Sequence, residues 1–237
     1  MLFQTYHLAR EHALSSFRVL LMGMGEPLLN LPAVGEAIHR LRHPTGTALS
    51  PRRITLSTVG VRGKLKELAR LAPGIGLAIS LHFTQDADRR RFMPAAARLS
   101  LAHLMEEVQA SAADFAKVSL EYLLLDGVND GLSDARRLIH LAHGGMPPKD
   151  AGRASPQELA RRFRRRKRFH INLIEYNPVP GIDLAPTPWE RAERFQNFLK
   201  GAGVVATYRR SRGAEVNAAC GMLAGSRRLR TNSRPTV

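Results

Sequence analysis

Residues 53–83, RITLSTVGVRGKLKELARLAPGIGLAISLHF, contain the pattern that decides the fold. Two apolar runs, 53–60 and 76–83, are rich in Val, Ile and Leu and are bounded by Gly, Pro or Ser, as buried strands usually are. The segment between them, 61–72, has the composition and spacing of a helix. The stretch therefore predicts a strand, a helix and a second strand.

The same alternation extends outward in both directions. Similar apolar runs occupy 17–25, 117–127, 169–178 and 204–211, and helix-like segments occupy 31–43, 99–115, 132–143 and 188–203. Strands that alternate with helices predict an α/β fold with a parallel sheet, and we expect part of a (βα) barrel. In such folds the residues just beyond the carboxyl ends of the strands line the site.

Two segments interrupt the alternation. The 237 residues are 44% hydrophobic, which is enough for one core, and we expect a single domain over 1–225. Within it, 144–168 has the composition of a basic surface insertion, and 226–237 that of a disordered basic tail.

Positive charge dominates the chain. Lys and Arg number 36 against 20 Asp and Glu, for a formal net charge of +16, and much of the excess lies in 153–168 and 226–237. Each segment alone is equally consistent with a solvated linker or a frayed tail. Together they favour a polyanionic partner, for which RNA, DNA and the ribosome all qualify.

Cysteine content and hydropathy exclude several classes of protein. The single cysteine, Cys220, excludes an internal disulfide framework and any metal or iron–sulfur site built from several thiolates of these residues. No apolar run reaches the roughly 18 to 20 residues of a membrane-spanning helix, and Glu11 lies where a secretory signal would be apolar. We therefore expect a cytoplasmic protein.

Small and polar residues stand at the ends of successive predicted strands. They are Gly25, Glu26, Ser57, the Ser80-Leu81-His82 stretch and Asn177. Each one alone is typical of a turn or a cap, but their joint occurrence at one rim favours a ligand site. A lone cysteine is usually a small buried residue; Cys220, however, is flanked by small residues and follows an arginine cluster that would favour its thiolate.

The strings MGMGEPLLN, RRITLSTVG, LAISLH, EYLLLDGVND, NPVPG and RRSRGAEVNAACG, in this order, resemble one family closely. It is the family of radical S-adenosylmethionine (SAM) adenine-C2 methyltransferases, which act on large-subunit ribosomal RNA and, in some members, on transfer RNA. The resemblance implies the radical SAM type of barrel, and SAM and a [4Fe–4S] cluster as cofactors.

The resemblance also implies roles for particular residues. Gly25 and Glu26 match positions that bind the methionyl end of SAM, and the remaining rim residues, Ser57, Ser80, Leu81, His82 and Asn177, match further SAM contacts. Cys220 matches the cysteine that is methylated. In the family, a radical made by reductive cleavage of a second SAM activates that methyl group, which adds to carbon 2 of adenine; a second cysteine then releases the RNA. An electron donor is implied as well.

The chain also departs from the family pattern. The CxxxCxxC cluster motif, the resolving cysteine, the N-terminal domain and the first barrel strand are absent from it. It is therefore either a fragment of a longer enzyme or a degenerate relative that binds SAM and RNA without catalysis. A third interpretation, an unrelated barrel hydrolase, would need to recruit rim groups such as Glu26, His82 and Asp126.

Overall fold

The computed structural model describes residues 2–94, 98–148, 152–164, 169–179 and 181–210. Within these residues six strands form one sheet in chain order, and every neighbouring pair is parallel. The strands are β1 (Val19–Leu21), β2 (Ile54–Thr58), β3 (Gly76–Ser80), β4 (Lys117–Leu124), β5 (His170–Glu175) and β6 (Ala206–Arg209). The predicted α/β class with a parallel sheet is confirmed.

Eight α-helices accompany the sheet in the described residues. They are α1 (Leu2–Glu11), α2 (Leu31–Arg42), α3 (Lys64–Leu71), α4 (Asp86–Phe92), α5 (Leu101–Ser111), α6 (Leu132–Ala142), α7 (Pro156–Arg162) and α8 (Trp189–Gly201). The sequence pattern predicted α2, α3, α5, α6 and α8. None of these helices is both long and apolar enough to cross a membrane.

One face of the sheet forms the hydrophobic core. The register places Ile79, Leu120 and Ile171 side by side on β3, β4 and β5, and all three are fully buried. On the same face, the ring of Tyr122 stacks on Phe195 of α8 at 5.8 Å between ring centroids. Burial of these side chains is the main driving force that holds the helices on the sheet.

The opposite face of the sheet carries a row of polar residues. Successive side chains of a strand point to opposite faces, so the neighbours of the core residues turn away from the helices. The register there aligns Ser80 of β3 with Glu121 of β4, Glu121 with Asn172 of β5, and Asn172 with Thr207 of β6. This row of four polar residues runs across β3, β4, β5 and β6.

Helix α7 lies within the predicted basic insertion. Its N-terminus carries a capping box in which the Ser155 hydroxyl accepts from the backbone N–H of Glu158 and the Glu158 carboxylate accepts from that of Ser155. Leu159 and Phe163 are buried in the core, whereas Arg161 is exposed. The segment thus contributes to the core as well as to the basic surface. The predicted tail, 226–237, lies outside the described residues.

Strand β1 forms one edge of the described sheet. It pairs only with β2, and Leu20 in its middle is 53% exposed. A groove of about 870 Å³ separates this edge from α1, which buries none of its residues. An open edge of this kind offers unpaired backbone groups to a further strand or segment.

Candidate functional site

A cavity of about 470 Å³ opens at the carboxyl ends of the strands. Six of the residues predicted from the sequence line it, and they come from the ends of four different strands or from the segments just after them. They are Gly25, Glu26, Ser57, Ser80, His82 and Asn177. The structure therefore brings together residues that are up to about 150 positions apart in the chain, because parallel strands end at the same edge. Cys220 lies outside the described residues.

Glu26 ties the loop after β1 to the end of β2. One carboxylate oxygen, Oε1, accepts from the backbone N–H of Leu28 at 2.9 Å and from the Thr58 hydroxyl at 2.7 Å. The other, Oε2, accepts from the backbone N–H of Val59 at 2.9 Å. A carboxylate offers about four acceptor positions, so the half-buried Glu26 retains capacity for one ligand donor.

Gly25 precedes Glu26 in a conformation that favours glycine, with φ at +100°. A Cβ atom at this position would meet no atom of the described protein within 4 Å. The backbone here is therefore open to close approach by a ligand. A side chain would be unfavourable because of the backbone angle rather than because of crowding.

Ser57 and Ser80 form a pair of hydroxyls on adjacent strands. Their Oγ atoms are 3.1 Å apart, and either can donate to the other. Both side chains are half-buried and line the cavity. Since each hydroxyl also has unused acceptor capacity, the pair suits vicinal hydroxyls such as those of a ribose.

His82 follows β3 with a left-handed backbone, φ +54°. Its Nδ1 accepts from the backbone N–H of Leu123 at 3.2 Å, so the neutral ring carries its proton on Nε2. Burial, together with the smaller effect of the positive charge of Arg89, lowers the pKa of His82 to about 4. At neutral pH His82 is therefore an uncharged donor with no free basic nitrogen, which disfavours a hydrolase that would use it as general base.

We expect His82 to make stability depend on pH. Its pKa in the folded state, about 4, lies below the ordinary value of 6.5, so the unfolded state binds the proton more readily between these values. The stability that this lowered pKa provides is fully present above about pH 6.5 and is lost as the pH falls toward 4. The loss in the free energy of unfolding is at most about 3 kcal/mol.

The measurement compares the free energy of unfolding of the parent protein and His82→Asn at about pH 7.5 and about pH 4.5. Asparagine tolerates the left-handed backbone and offers an acceptor to Leu123, but it does not titrate. The parent should lose more stability on acidification than the variant. An equal loss in both proteins would contradict the prediction.

Leu81 and Asn177 occupy different surroundings. The Leu81 side chain is fully buried in the core and does not line the cavity; its carbonyl oxygen accepts from Arg89 Nη1 at 2.7 Å. Leu81 therefore shapes the site through its backbone. Asn177, after β5, is 9% exposed and lines the cavity.

Two buried polar residues that the sequence did not single out as site residues hold the rim in place. Arg89 of α4 is fully buried, and its guanidinium donates to the carbonyl oxygens of Leu81 and Val59, which follow β3 and β2. Asn129 is 1% exposed, and its amide donates to the carbonyl of His82 at 2.9 Å. Arg89 stands in the run DADRRRF, where nothing distinguishes it from exposed arginines until the helix has packed.

Charged groups of both signs surround the cavity. Three carboxylates, those of Glu26, Glu121 and Glu175, and two guanidinium groups, those of Arg209 and Arg210, line it. The cavity lining is therefore slightly acidic, although the chain as a whole carries a large positive net charge. A ligand that carries positive charge and one carboxylate of its own would match it.

A metal site is not evident in the part of the chain that the structure describes. There, no group of three or more His, Cys, Asp or Glu side chains is arranged to hold a metal ion. The whole chain has one cysteine, so several thiolate ligands cannot come from these 237 residues. The donor set of these residues does not fit an iron–sulfur cluster.

The chain is similar to known enzymes over most of its length, although no family model matches it. A dual-specificity RNA methyltransferase RlmN from Solidesulfovibrio magneticus is 40% identical over 206 residues, which are 86% of this chain and 52% of that protein. An RlmN protein from Thermus thermophilus is 42% identical over 207 residues, again 52% of its length. The chain spans about half the length of these curated relatives.

Solved structures agree with the sequence comparison. A radical SAM methyltransferase from Sphaerobacter thermophilus matches 91% of this chain and 57% of its own, with a TM-score of 0.76 and 32% identity. A domain of a pyruvate-formate lyase-activating enzyme from Bacteroides vulgatus matches 82% of this chain and 99% of that domain, with a TM-score of 0.56; at 17% identity it shows the fold alone. The chain is therefore similar in sequence to about half of an RlmN RNA methyltransferase and in fold to part of a radical SAM methyltransferase.

Proposed function

We propose that this chain forms the SAM pocket and part of the RNA-binding surface of an enzyme that methylates carbon 2 of an adenine. The substrate is large-subunit ribosomal RNA and, in a dual-specificity enzyme, transfer RNA as well. The observation that carries the proposal is the cavity at the carboxyl ends of the strands, which six of the seven predicted SAM-contacting residues line. Support also comes from the relatives, which are named as RNA methyltransferases.

The polar groups around the cavity fit the functional groups of SAM. The ligand carries a sulfonium and an ammonium group, one carboxylate and two ribose hydroxyls. Carboxylates such as Glu26 suit its cationic centres, Arg209 or Arg210 suits its carboxylate, and the Ser57–Ser80 pair suits the hydroxyls. The volume, about 470 Å³, lies within the usual range for small-molecule sites.

The charge of the chain supports an RNA substrate. The net charge of +16 provides sequence-independent attraction to phosphates, and Arg161, Arg162 and Arg164 present part of it on exposed positions in and just after α7. RNA recognition also requires an accessible base, and the cavity opens at the rim where Arg209 and Arg210 lie. With such a substrate, the proposed location of the enzyme is the cytoplasm.

Cys220 is the proposed methyl carrier. Its thiolate attacks the methyl group of SAM, a sulfur–carbon bond forms as the sulfonium–carbon bond breaks, and S-adenosylhomocysteine leaves. Family chemistry beyond this point needs the cluster and an electron donor. Because the cluster does not fit the residues present, we derive no further step from this chain.

Cys220→Ala should abolish methyl transfer to RNA in the enzyme purified from its own cell while SAM affinity changes by less than about twofold, a shift well below 1 kcal/mol. Methyl transfer is measured with labelled SAM, and affinity by calorimetry. In the parent protein, mass spectrometry should find the peptide that contains Cys220 heavier by one methyl group. Methyl transfer that persists in the variant would refute the carrier role.

A second candidate function is a binding module without catalysis. The single cysteine favours it, because no set of thiolates in this sequence can hold a cluster. RNA binding measured over a range of salt, with and without SAM, separates the two. Affinity that falls steeply with salt and does not respond to SAM favours the module; coupling between SAM and RNA favours the enzyme.

A further inference from the structure

Glu121 is a carboxylate at the base of the cavity, in the interior of β4. Its side chain is 4% exposed and lines the cavity together with Ser80, its register neighbour on β3. It belongs to the polar row of the sheet, between Ser80 and Asn172. A carboxylate on a central strand is unusual, because charged groups are rarely buried without a partner.

A chain of hydrogen bonds ends at this carboxylate, which accepts from two side chains. The Thr207 hydroxyl donates to Asn172 Oδ1 at 2.6 Å, so the Asn172 amide is oriented to donate from Nδ2 to Glu121 Oε1 at 2.7 Å. The Ser119 hydroxyl donates to the same oxygen, also at 2.7 Å. Because Thr207 has one proton, His170 Nε2, at 3.0 Å from its oxygen, is the donor in that contact.

The donors of this network, Ser119 and Asn172, both reach Oε1 of Glu121, and Oε2 remains available. Both hydrogen bonds that the described residues make to this carboxylate end on Oε1. The row therefore fixes the carboxylate as an acceptor and holds it in one orientation. Oε2 is left for a group that enters the cavity.

Glu121 also has no ion pair at contact distance among the described residues. Lys117 lies on the same face and interacts with it electrostatically, without a contact of ion-pair length. A buried charge that is hydrogen-bonded but unpaired is destabilising, and a cation in the cavity would relieve that cost.

We propose that Glu121 is the counter-ion for a cationic centre of the bound ligand and thereby selects SAM over uncharged adenosine derivatives. The inference rests on the proposed function, since it names a residue that determines specificity in the same pocket. Neutral donors such as Ser119 and Asn172 hold the carboxylate in place, and the ligand supplies the positive charge.

The test measures calorimetric affinities of the parent chain and Glu121→Gln for three ligands. SAM has both cationic centres, S-adenosylhomocysteine has lost the sulfonium charge, and 5′-methylthioadenosine has neither. The variant keeps the shape of the side chain and removes its charge, so SAM affinity should fall between about 10-fold and about 100-fold. Affinity for 5′-methylthioadenosine should change by less than about threefold. The affinity for S-adenosylhomocysteine then shows which cationic centre Glu121 contacts. If Glu121→Gln binds S-adenosylhomocysteine as the parent does, the centre is the sulfonium. If the variant loses as much affinity for it as for SAM, the centre is the ammonium group.

Two control variants separate charge from structure. Ser119→Ala removes one hydrogen bond to the same oxygen but keeps the charge, so the preference for SAM should persist. Glu121→Asp should likewise retain the preference. Near-ultraviolet circular dichroism and the unfolding midpoint verify that Glu121→Gln is folded.

The outcomes also distinguish this inference from the proposed function. If Glu121→Gln binds SAM as the parent does, the counter-ion role is wrong. The same holds if the variant loses affinity equally for every ligand that the parent binds. In both cases the proposed SAM pocket is not contradicted. If the parent chain binds none of the three ligands, the SAM pocket itself is refuted.

Discussion

Asn129→Ala is expected to lower the free energy of unfolding by about 3 kcal/mol, because it leaves three backbone groups without their hydrogen-bond partner. The Asn129 amide donates to the carbonyl oxygens of His82 and Leu123, at 2.9 and 2.7 Å, and its Oδ1 accepts from the backbone N–H of Leu125 at 2.8 Å. One side chain thus joins the loop after β3 to the end of β4. Alanine satisfies none of these groups.

Urea unfolding measures the effect, with Asn197→Ala as the matched control. Asn197 is exposed on α8, so its replacement should change the free energy of unfolding by less than about 0.5 kcal/mol. Because His82 lines the cavity, Asn129→Ala should weaken SAM binding as well. Equal effects of the two substitutions on stability would show that Asn129 does not clamp the rim.

Glu26→Ala should weaken SAM binding by about tenfold or more and lower the free energy of unfolding by about 2 kcal/mol. Affinity falls because a carboxylate with one remaining acceptor position is removed from the cavity. Stability falls because Leu28, Thr58 and Val59 lose their acceptor. The loss of stability is limited, since Glu26 is half-buried and water can replace part of what it supplies.

Calorimetry and urea unfolding of one preparation separate the two effects. Glu106→Ala is the control, because Glu106 is exposed on α5 and its removal changes the net charge by the same amount. That control should bind SAM as the parent does. Unchanged SAM affinity in Glu26→Ala would remove Glu26 from the ligand site and leave it a purely structural role.

The elements predicted from the sequence are those with a regular apolar pattern. This pattern predicts all six strands. It also predicts the helices that bury an apolar stripe, such as α3 with Leu65, Leu68 and Ala69. The three helices without a prediction lack that signal: α1 buries no residue, α4 buries only Arg89 and α7 buries only Leu159. Their boundaries depend on packing and capping rather than on periodicity.

Most of the candidate site was also predictable, for a geometric reason. Parallel strands all end at one edge, so residues at or just after the ends of successive strands meet there, as Gly25, Glu26, Ser57 and Ser80 do. Glu121 could not be found in this way. It stands between Leu120 and Tyr122 inside an apolar run, and only the register of the sheet shows that it turns toward the cavity.

The sequence by itself determined the alternation of strands and helices, the rim residues and the resemblance to a family. Only the tertiary structure decided what each rim group does, because its hydrogen-bond partners are distant in the chain. Glu26 meets Thr58 across 32 positions, His82 meets Leu123 across 41, and Glu121 meets Asn172 across 51. Those contacts show that Nδ1 of His82 is occupied within the protein and that the hydrogen bonds from Ser119 and Asn172 end on one oxygen of Glu121.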